Sequence, residues 1–220
     1  MNRGLKIAVA AVLAVLLIGL IVALKTVDVA AVGPMESSVG LSHLNKAVSN
    51  TIGFHETWYK ISKILGYIAF AVVGAFAVTG VIQLVQRRSL RKVDPKLLWL
   101  GGLYIVTLIL YAFGKIPLNF RPVIIPGKTE LEASFPSSHT LMSVVVFGSA
   151  ILMIPDYFSN RAVSALLCIG SWILMVATIV FRLLSGVHWL TDILGGILLS
   201  TLLLVLFEIF TQDLKRVQVK

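Results

Sequence analysis

Six stretches of the chain stay apolar long enough to cross about 30 Å of hydrocarbon as helices rising 1.5 Å per residue. They run from Ile7 to Leu24, Ile64 to Val85, Leu97 to Phe113, Ser138 to Ile154, Val163 to Phe181 and Leu190 to Phe210. The polar segments between them are mostly short. The exception is the segment from Lys25 to Lys63, where LSHLNKAVSNTI sets Leu41, Leu44, Val48 and Ile52 near helical spacing. That spacing predicts a short amphipathic helix at the membrane surface, a cover for the bundle or a gate for lipid access, between which the pattern does not choose. The expected fold is all-α: one polytopic six-transmembrane-helix bundle over residues 1–220, without repeats or a second domain.

Composition agrees with the pattern. The 220 residues are 58% hydrophobic and 13% charged, with a mean hydropathy of +0.95, far from a soluble domain. The first apolar run follows Arg3 and Lys6 but is longer than the 7 to 15 residues of a signal peptide core, and no small-x-small cleavage site follows it, so it reads as a true span. Cys168 lies inside an apolar run and reads as packing; as the only cysteine it excludes an internal disulfide.

The net charge of +9 does not point to nucleic acid, because Lys and Arg sit in short stretches between apolar runs rather than on a basic face interleaved with aromatics. With six spans, the termini, the RRSLRK cluster and Arg161 share one side, which carries the larger share of Lys and Arg. The positive-inside rule makes that side cytoplasmic, so both termini are expected in the cytoplasm of a bacterial-type cell membrane.

Three polar patches then fall on the opposite, outward face. The segment after the third span, GKIPLNFRPVIIPGKTELEASFPSSHT, holds Lys115, Arg121 and Pro122, then Pro136, Ser137, Ser138 and His139. Two crossings later FRLLSGVHWLTD supplies Arg182, His188 and Asp192. Charged groups like these cost about 2.5 to 3.5 kcal/mol each at a bilayer centre, so their placement asks for a chemical reason. If the last helix begins near Gly186, His188 and Asp192 share one of its faces. The carboxylate then takes the imidazole Nδ1 proton and leaves Nε2 as a nucleophile.

A metal site is the rival for two histidines and a carboxylate, but three cations aimed at one spot repel a divalent ion and neutralise a phosphate. PSSH begins a helix, so Ser137 and Ser138 are set to offer hydroxyl and amide donors to phosphate oxygens, and His139 to act as general acid and base. Other polar residues receive plainer readings. His43 and His55 are surface histidines, Lys128 is a solvated loop charge, Glu208 snorkels, and Gly195 with Gly196 permits close packing.

Lys115 with Arg121-Pro122, then Pro136-Ser137-Ser138-His139, then Arg182 with His188 six residues on and Asp192 four further, resemble the membrane-bound type-2 phosphatidic acid phosphatases, within the larger group that includes vanadium haloperoxidases and glucose-6-phosphatase. The motif resemblance covers residues 97 to 210; Ser138 stands where the family has glycine, and Phe181 where it often has serine. The resemblance implies His188 as the nucleophile that forms a phosphohistidine, supported by Asp192, with His139 as proton donor to the leaving group. It makes Lys115, Arg121 and Arg182 the phosphate clamp, assisted by Ser137 and the Ser138 amide, in a reaction without metal or other cofactor. The expected activity is hydrolysis of a lipid phosphate or pyrophosphate at the outer leaflet, with phosphatidic acid, phosphatidylglycerophosphate and undecaprenyl pyrophosphate fitting equally. The alternatives are a phosphotransferase of the same fold and a non-catalytic binder or transporter of anionic lipid.

Overall fold

The computed structural model of the chain describes residues 2–114 and 116–214. Six helices are long and apolar enough to span a membrane: α1 (Arg3–Thr26), α3 (Glu56–Arg87), α4 (Pro95–Phe113), α5 (Ser138–Tyr157), α6 (Arg161–Leu184) and α7 (Leu190–Thr211). A shorter helix, α2 (Ser42–Ile52), lies between the first two. Their ends are set by local chemistry. Asn2 accepts from the Leu5 N–H at 2.8 Å to start α1, Asn160 accepts from Ala162 and Val163 at 2.9 and 3.2 Å to start α6, and Asp94 with Pro95 starts α4.

The bundle is organised around α5. Its residues Leu141, Val145, Val146, Phe147 and Met153 are almost completely enclosed, packed with Leu100 and Tyr104 of α4, Ala69 of α3 and Phe207 of α7. Around it the other spans turn large apolar side chains outward: Val15, Val85 and Leu166 are 68%, 68% and 71% exposed. In water such a surface would drive aggregation; in lipid it is the natural exterior. In the middle of the bundle the Tyr104 and Ser149 hydroxyls satisfy each other at 3.0 Å.

At the end of the bundle that holds the chain's N-terminus, Lys6 pairs with Glu208 at 3.1 Å and Lys96 with Asp156. Glu208 therefore does not simply snorkel: Lys6 is largely buried beside it, and pairing settles both charges.

The opposite end is built differently. Two short antiparallel pairs occur there, β1 (Ala30–Ala31) with β2 (Ser38–Val39), and β3 (Ile116–Phe120) with β4 (Ala133–Phe135). In the second pair Ile116 lies opposite Phe135 and Phe120 opposite Ala133. The bundle is all-α as expected, and these hairpins are additions that clamp its loops.

Helix α2 is present, but its inward face is not the apolar one. Leu41 is a left-handed cap residue rather than part of the helix, Leu44 is 47% exposed, and the residues driven to full burial are Ser42 and Asn45. The reason is what lies beneath: α2 packs on the polar start of α7, where an amide side chain is worth more than an aliphatic one. Asp28 starts α2 from outside, its Oδ2 accepting the His43 N–H at 2.8 Å and its Oδ1 accepting the Ser42 hydroxyl at 2.9 Å. His43 also turns its exposed ring to this carboxylate at 2.7 Å, and the His55 ring meets the Ile52 carbonyl at 2.8 Å.

Two tests follow from these contacts. The backbone N–H of His43, followed by its ring and the Ser42 hydroxyl, holds the Asp28 carboxyl below the ordinary carboxylate value against the opposing effect of burial. A depressed folded-state pKa stabilises the protein above the unfolded-state value of about 4 and is lost as pH falls through the lower folded value. Thermal melts should therefore place Asp28→Ala below wild type at neutral pH, with the gap closing under about pH 4. Gly195 lies against the Phe135 ring with no room for a β-carbon, so Gly195→Val should destabilise by about 1–3 kcal/mol, read as a lowered melting temperature in detergent.

Candidate active site

The turn between α6 and α7 is the centre of the polar end. Gly186 adopts a left-handed φ of 68° while its backbone presses on the Gly53 carbonyl, which only glycine allows. The His55 N–H donates to the Ser185 carbonyl at 3.2 Å, tying the start of α3 to the same turn. Helix α7 begins at Leu190, where the apolar run places it, with Trp189 as its cap, so the condition that it start near Gly186 is not met. His188 thus precedes the helix, and its meeting with Asp192 does not come from a shared helical face. It comes from capping: Asp192, third residue of α7, turns back so that Oδ2 accepts the Trp189 N–H at 3.0 Å and the His188 Nδ1–H at 3.3 Å. The Trp189 indole donates to the Phe120 carbonyl at 2.6 Å and pins strand β3 to this corner.

That strand delivers Arg121. Its Nη1 donates to the Val187 carbonyl at 3.1 Å and to His188 Nε2 at 3.2 Å, and its Nε donates to Glu132 at 2.9 Å. Arg182, near the end of α6, reaches the same nitrogen from another side, with Nη2 at 3.5 Å from His188 Nε2. It is held by donation from Nη1 to the Ser62 hydroxyl at 3.2 Å and by the Tyr59 ring, 5.4 Å from its guanidinium. Arg121, Arg182, His188 and Asp192 are all at least 95% buried, with exposures of 5%, 1%, 3% and 0%. Two guanidinium groups thus converge on one imidazole nitrogen whose ring partner is a carboxylate. The arrangement favours an anion at Nε2 and opposes a cation there.

The start of α5 contributes less directly than expected. The Ser137 N–H donates to the Asp192 backbone carbonyl at 2.9 Å, and its hydroxyl accepts from Thr140 at 3.0 Å. The Ser137 amide thus joins α5 to α7, while its hydroxyl meets Thr140 within α5 and keeps its own hydrogen to donate. Ser138, the first residue of α5, is buried alongside. His139 packs against the Tyr111 ring at 5.8 Å and lines a cavity of about 120 Å³ with Lys63, Gly66, Tyr67, Phe70 and Tyr111. Arg121, Arg182 and His188 do not line this cavity.

Lys115 lies outside the described residues, although the residues joining it to Arg121 form β3. Lys128 pairs with Glu132 rather than standing as a simple solvated charge, and Cys168 is packed with its thiol 3.8 Å from the Ile151 carbonyl. Gly195 and Gly196 admit Phe135 and Thr140, as close packing requires. Among the described residues, no group of three or more His, Cys, Asp or Glu side chains is placed to hold a metal ion.

Sequence reasoning missed the supporting layer: Tyr59, Ser62, Asn119, Glu132, Thr191 and Asn45. Asn119 carried a usable signal. It is two residues before Arg121, so a strand reading of 116–120 would put both on one face. Asn45 and Ser62 gave none, since their partners are more than a hundred residues away in the chain.

Six apolar helices that carry a buried cationic site at one end define a multi-pass membrane protein. The sequence profile of the PAP2 superfamily matches residues 65–216, and the chain belongs to that superfamily, which makes it in class a membrane lipid phosphatase. Its fold is similar to that of a transmembrane PAP2 type phosphatidylglycerolphosphate phosphatase from Bacillus subtilis, with a TM-score of 0.63 over 95% of this chain and 98% of that one at 20% identity. No curated protein matches the sequence.

Proposed function

We propose that the protein hydrolyses a lipid phosphomonoester or pyrophosphate through a phosphohistidine formed on His188. One observation carries the reading: both guanidinium groups approach His188 Nε2, while Asp192 holds Nδ1. In that geometry the Nε2 lone pair is directed into the position where Arg121 and Arg182 would hold a phosphoryl group. Attack forms the Nε2–P bond and breaks the bond from phosphorus to the lipid oxygen, and His139 protonates that oxygen as it leaves. Water then attacks the phosphohistidine, giving up a proton to His139, and inorganic phosphate departs. Asp192 stabilises the charged imidazole throughout.

Lys115 completes the clamp, with the Ser138 amide and the start of α5 assisting. No metal is needed, because the arginines supply the positive charge that phosphoryl transfer requires and would repel a divalent ion at the same point. The substrate is phosphatidic acid, phosphatidylglycerophosphate or undecaprenyl pyrophosphate; the phosphatidylglycerolphosphate activity of the Bacillus protein of similar fold supports the second. The excess of Lys and Arg at the termini and in the RRSLRK segment supports a site on the outer side of the cytoplasmic membrane, with both termini inside.

The experiment is phosphate release from these three lipids in detergent with a chelator present. Wild type should turn over at least one of them with a bell-shaped pH profile, since one imidazole must be neutral and the other protonated. His188→Ala should be inactive while still eluting as folded protein, and His139→Ala should lose about 10²- to 10⁴-fold. Full activity in His188→Ala, or a strict requirement for magnesium, would remove the mechanism. Label transferred to an acceptor alcohol in place of released phosphate would make the protein a transferase.

A further inference from the structure

The polar end contains a second hydrogen-bonded unit, behind Asp192 and away from the arginines. Asp192 has two oxygens. Oδ2 serves His188 and the Trp189 N–H, while Oδ1 accepts from Asn119 Nδ2 at 3.4 Å. The same Nδ2 donates to Thr191 Oγ1 at 3.2 Å, and the side-chain Oδ1 of Asn119 accepts the Gly40 N–H at 3.3 Å. From the other side, Asn45 Nδ2 donates to Thr191 Oγ1 at 3.0 Å and to the Gly40 carbonyl at 2.8 Å. Asn45 Oδ1 accepts the Thr191 N–H at 3.3 Å. Asn45, Asn119 and Asp192 are fully enclosed and Thr191 is 1% exposed.

These bonds form a closed circuit from the loop before α2, through β3, to the first turn of α7. The side-chain amide donors of Asn45 and Asn119 each point at defined acceptors, and Gly40 is pressed against the Leu24 backbone with no space for a β-carbon. A surface flap would not be fixed in this way. Buried amides at full satisfaction hold one geometry, because any displacement leaves unpaired groups at roughly 1–3 kcal/mol each. Gly40 and Asn45 also precede the segment that matches the superfamily profile, which begins at residue 65. The part of the chain that carries the family motifs is therefore braced by a part that does not.

We propose that Asn45 and Asn119 are positioning residues for His188: through Thr191 and Asp192 they fix the carboxylate that selects the Nδ1–H tautomer, so the loop between α1 and α3 belongs to the catalytic apparatus. The inference rests on the nucleophilic role given to His188 above. Thr191 is the hub, since its hydroxyl accepts from both amides. When the circuit is broken, Asp192 keeps its cap on Trp189, but the Asn119 amide, no longer set by a fixed Thr191 hydroxyl, holds Oδ1 less firmly. The imidazole then samples the Nε2–H tautomer, which has no lone pair to offer phosphorus.

The test compares Asn45→Ala, Thr191→Val and Thr191→Ser with wild type, using protein confirmed as folded by size exclusion and thermal melting. Asn45→Ala and Thr191→Val should lower kcat by roughly 5- to 150-fold with KM within threefold, a range set by the 1–3 kcal/mol attached to an unpaired buried group. Thr191→Ser, which keeps the hydroxyl, should recover most of the loss. In 15N-histidine-labelled protein, with His188→Ala providing the assignment, the His188 ring-nitrogen resonances should move toward the Nε2–H tautomer in Asn45→Ala and Thr191→Val, and stay in place in Thr191→Ser. Unchanged kcat and ring resonances in Asn45→Ala would overturn the proposal, as would an equal loss in Thr191→Ser and Thr191→Val. The nitrogen signals need no turnover, so they decide the positioning role even if wild type releases no phosphate, which would instead defeat the hydrolase reading.

Discussion

The whole polar end answers to one constraint: two arginines, a histidine and an aspartate are buried together at the tip of a bundle whose exterior suits lipid. Each of those groups would be strongly unfavourable alone. An isolated buried charge has no water to solvate it, and the penalty is several kcal/mol per ion even after relaxation. Here Arg121 is divided between Glu132, Val187 and His188, and Arg182 between Ser62, Tyr59 and His188. Both guanidinium groups reach the imidazole Nε2. Two like charges gathered around a neutral nitrogen leave an electrostatic demand that an oxyanion held there would meet.

That demand explains why the loops are rigid where a membrane protein ordinarily has slack. The hairpin of β3 and β4, the indole of Trp189 on the Phe120 carbonyl, and the backbone bond from Ser137 to Asp192 all converge on the first turn of α7. Each is a bond between elements distant in sequence, so each resists a different displacement. The apolar half of the molecule has no comparable need. Its α5-centred core holds by packing, and its outer faces are left to the bilayer.

Most of the architecture was legible because hydrophobic length is a strong signal in membranes. All six spans fall where the apolar runs put them, with ends extended by a few residues through caps such as Asn2 and Asn160 that belong to the polar flanks. The clustering of Arg121, Arg182, His188 and Asp192 was legible too, by counting crossings. What was not legible was the local reason. A spacing of four suggested one helical face for His188 and Asp192, whereas the chain uses a capping turn that happens to bring the same two side chains together. Periodicity likewise gave α2 an apolar inner face, and tertiary chemistry overrode it, because the surface awaiting α2 is the polar start of α7. Ser137 stands at the start of α5 as expected, and the bond from its amide to the Asp192 carbonyl is a contact that no helix-start pattern announces.

These failures share a physical origin. Sequence patterns report how a residue relates to its own element, through period, length and caps, whereas a buried polar residue is defined by its partner. Asn45 and Thr191 are 146 positions apart and satisfy each other twice, a relation no local window can contain. The first outer loop is thereby drawn into a site whose charged members all lie further along the chain. Since a buried amide tolerates no substitute partner without leaving an unpaired group, the identity of residue 45 is tied to that of residue 191, and the geometry of the imidazole at 188 depends on both.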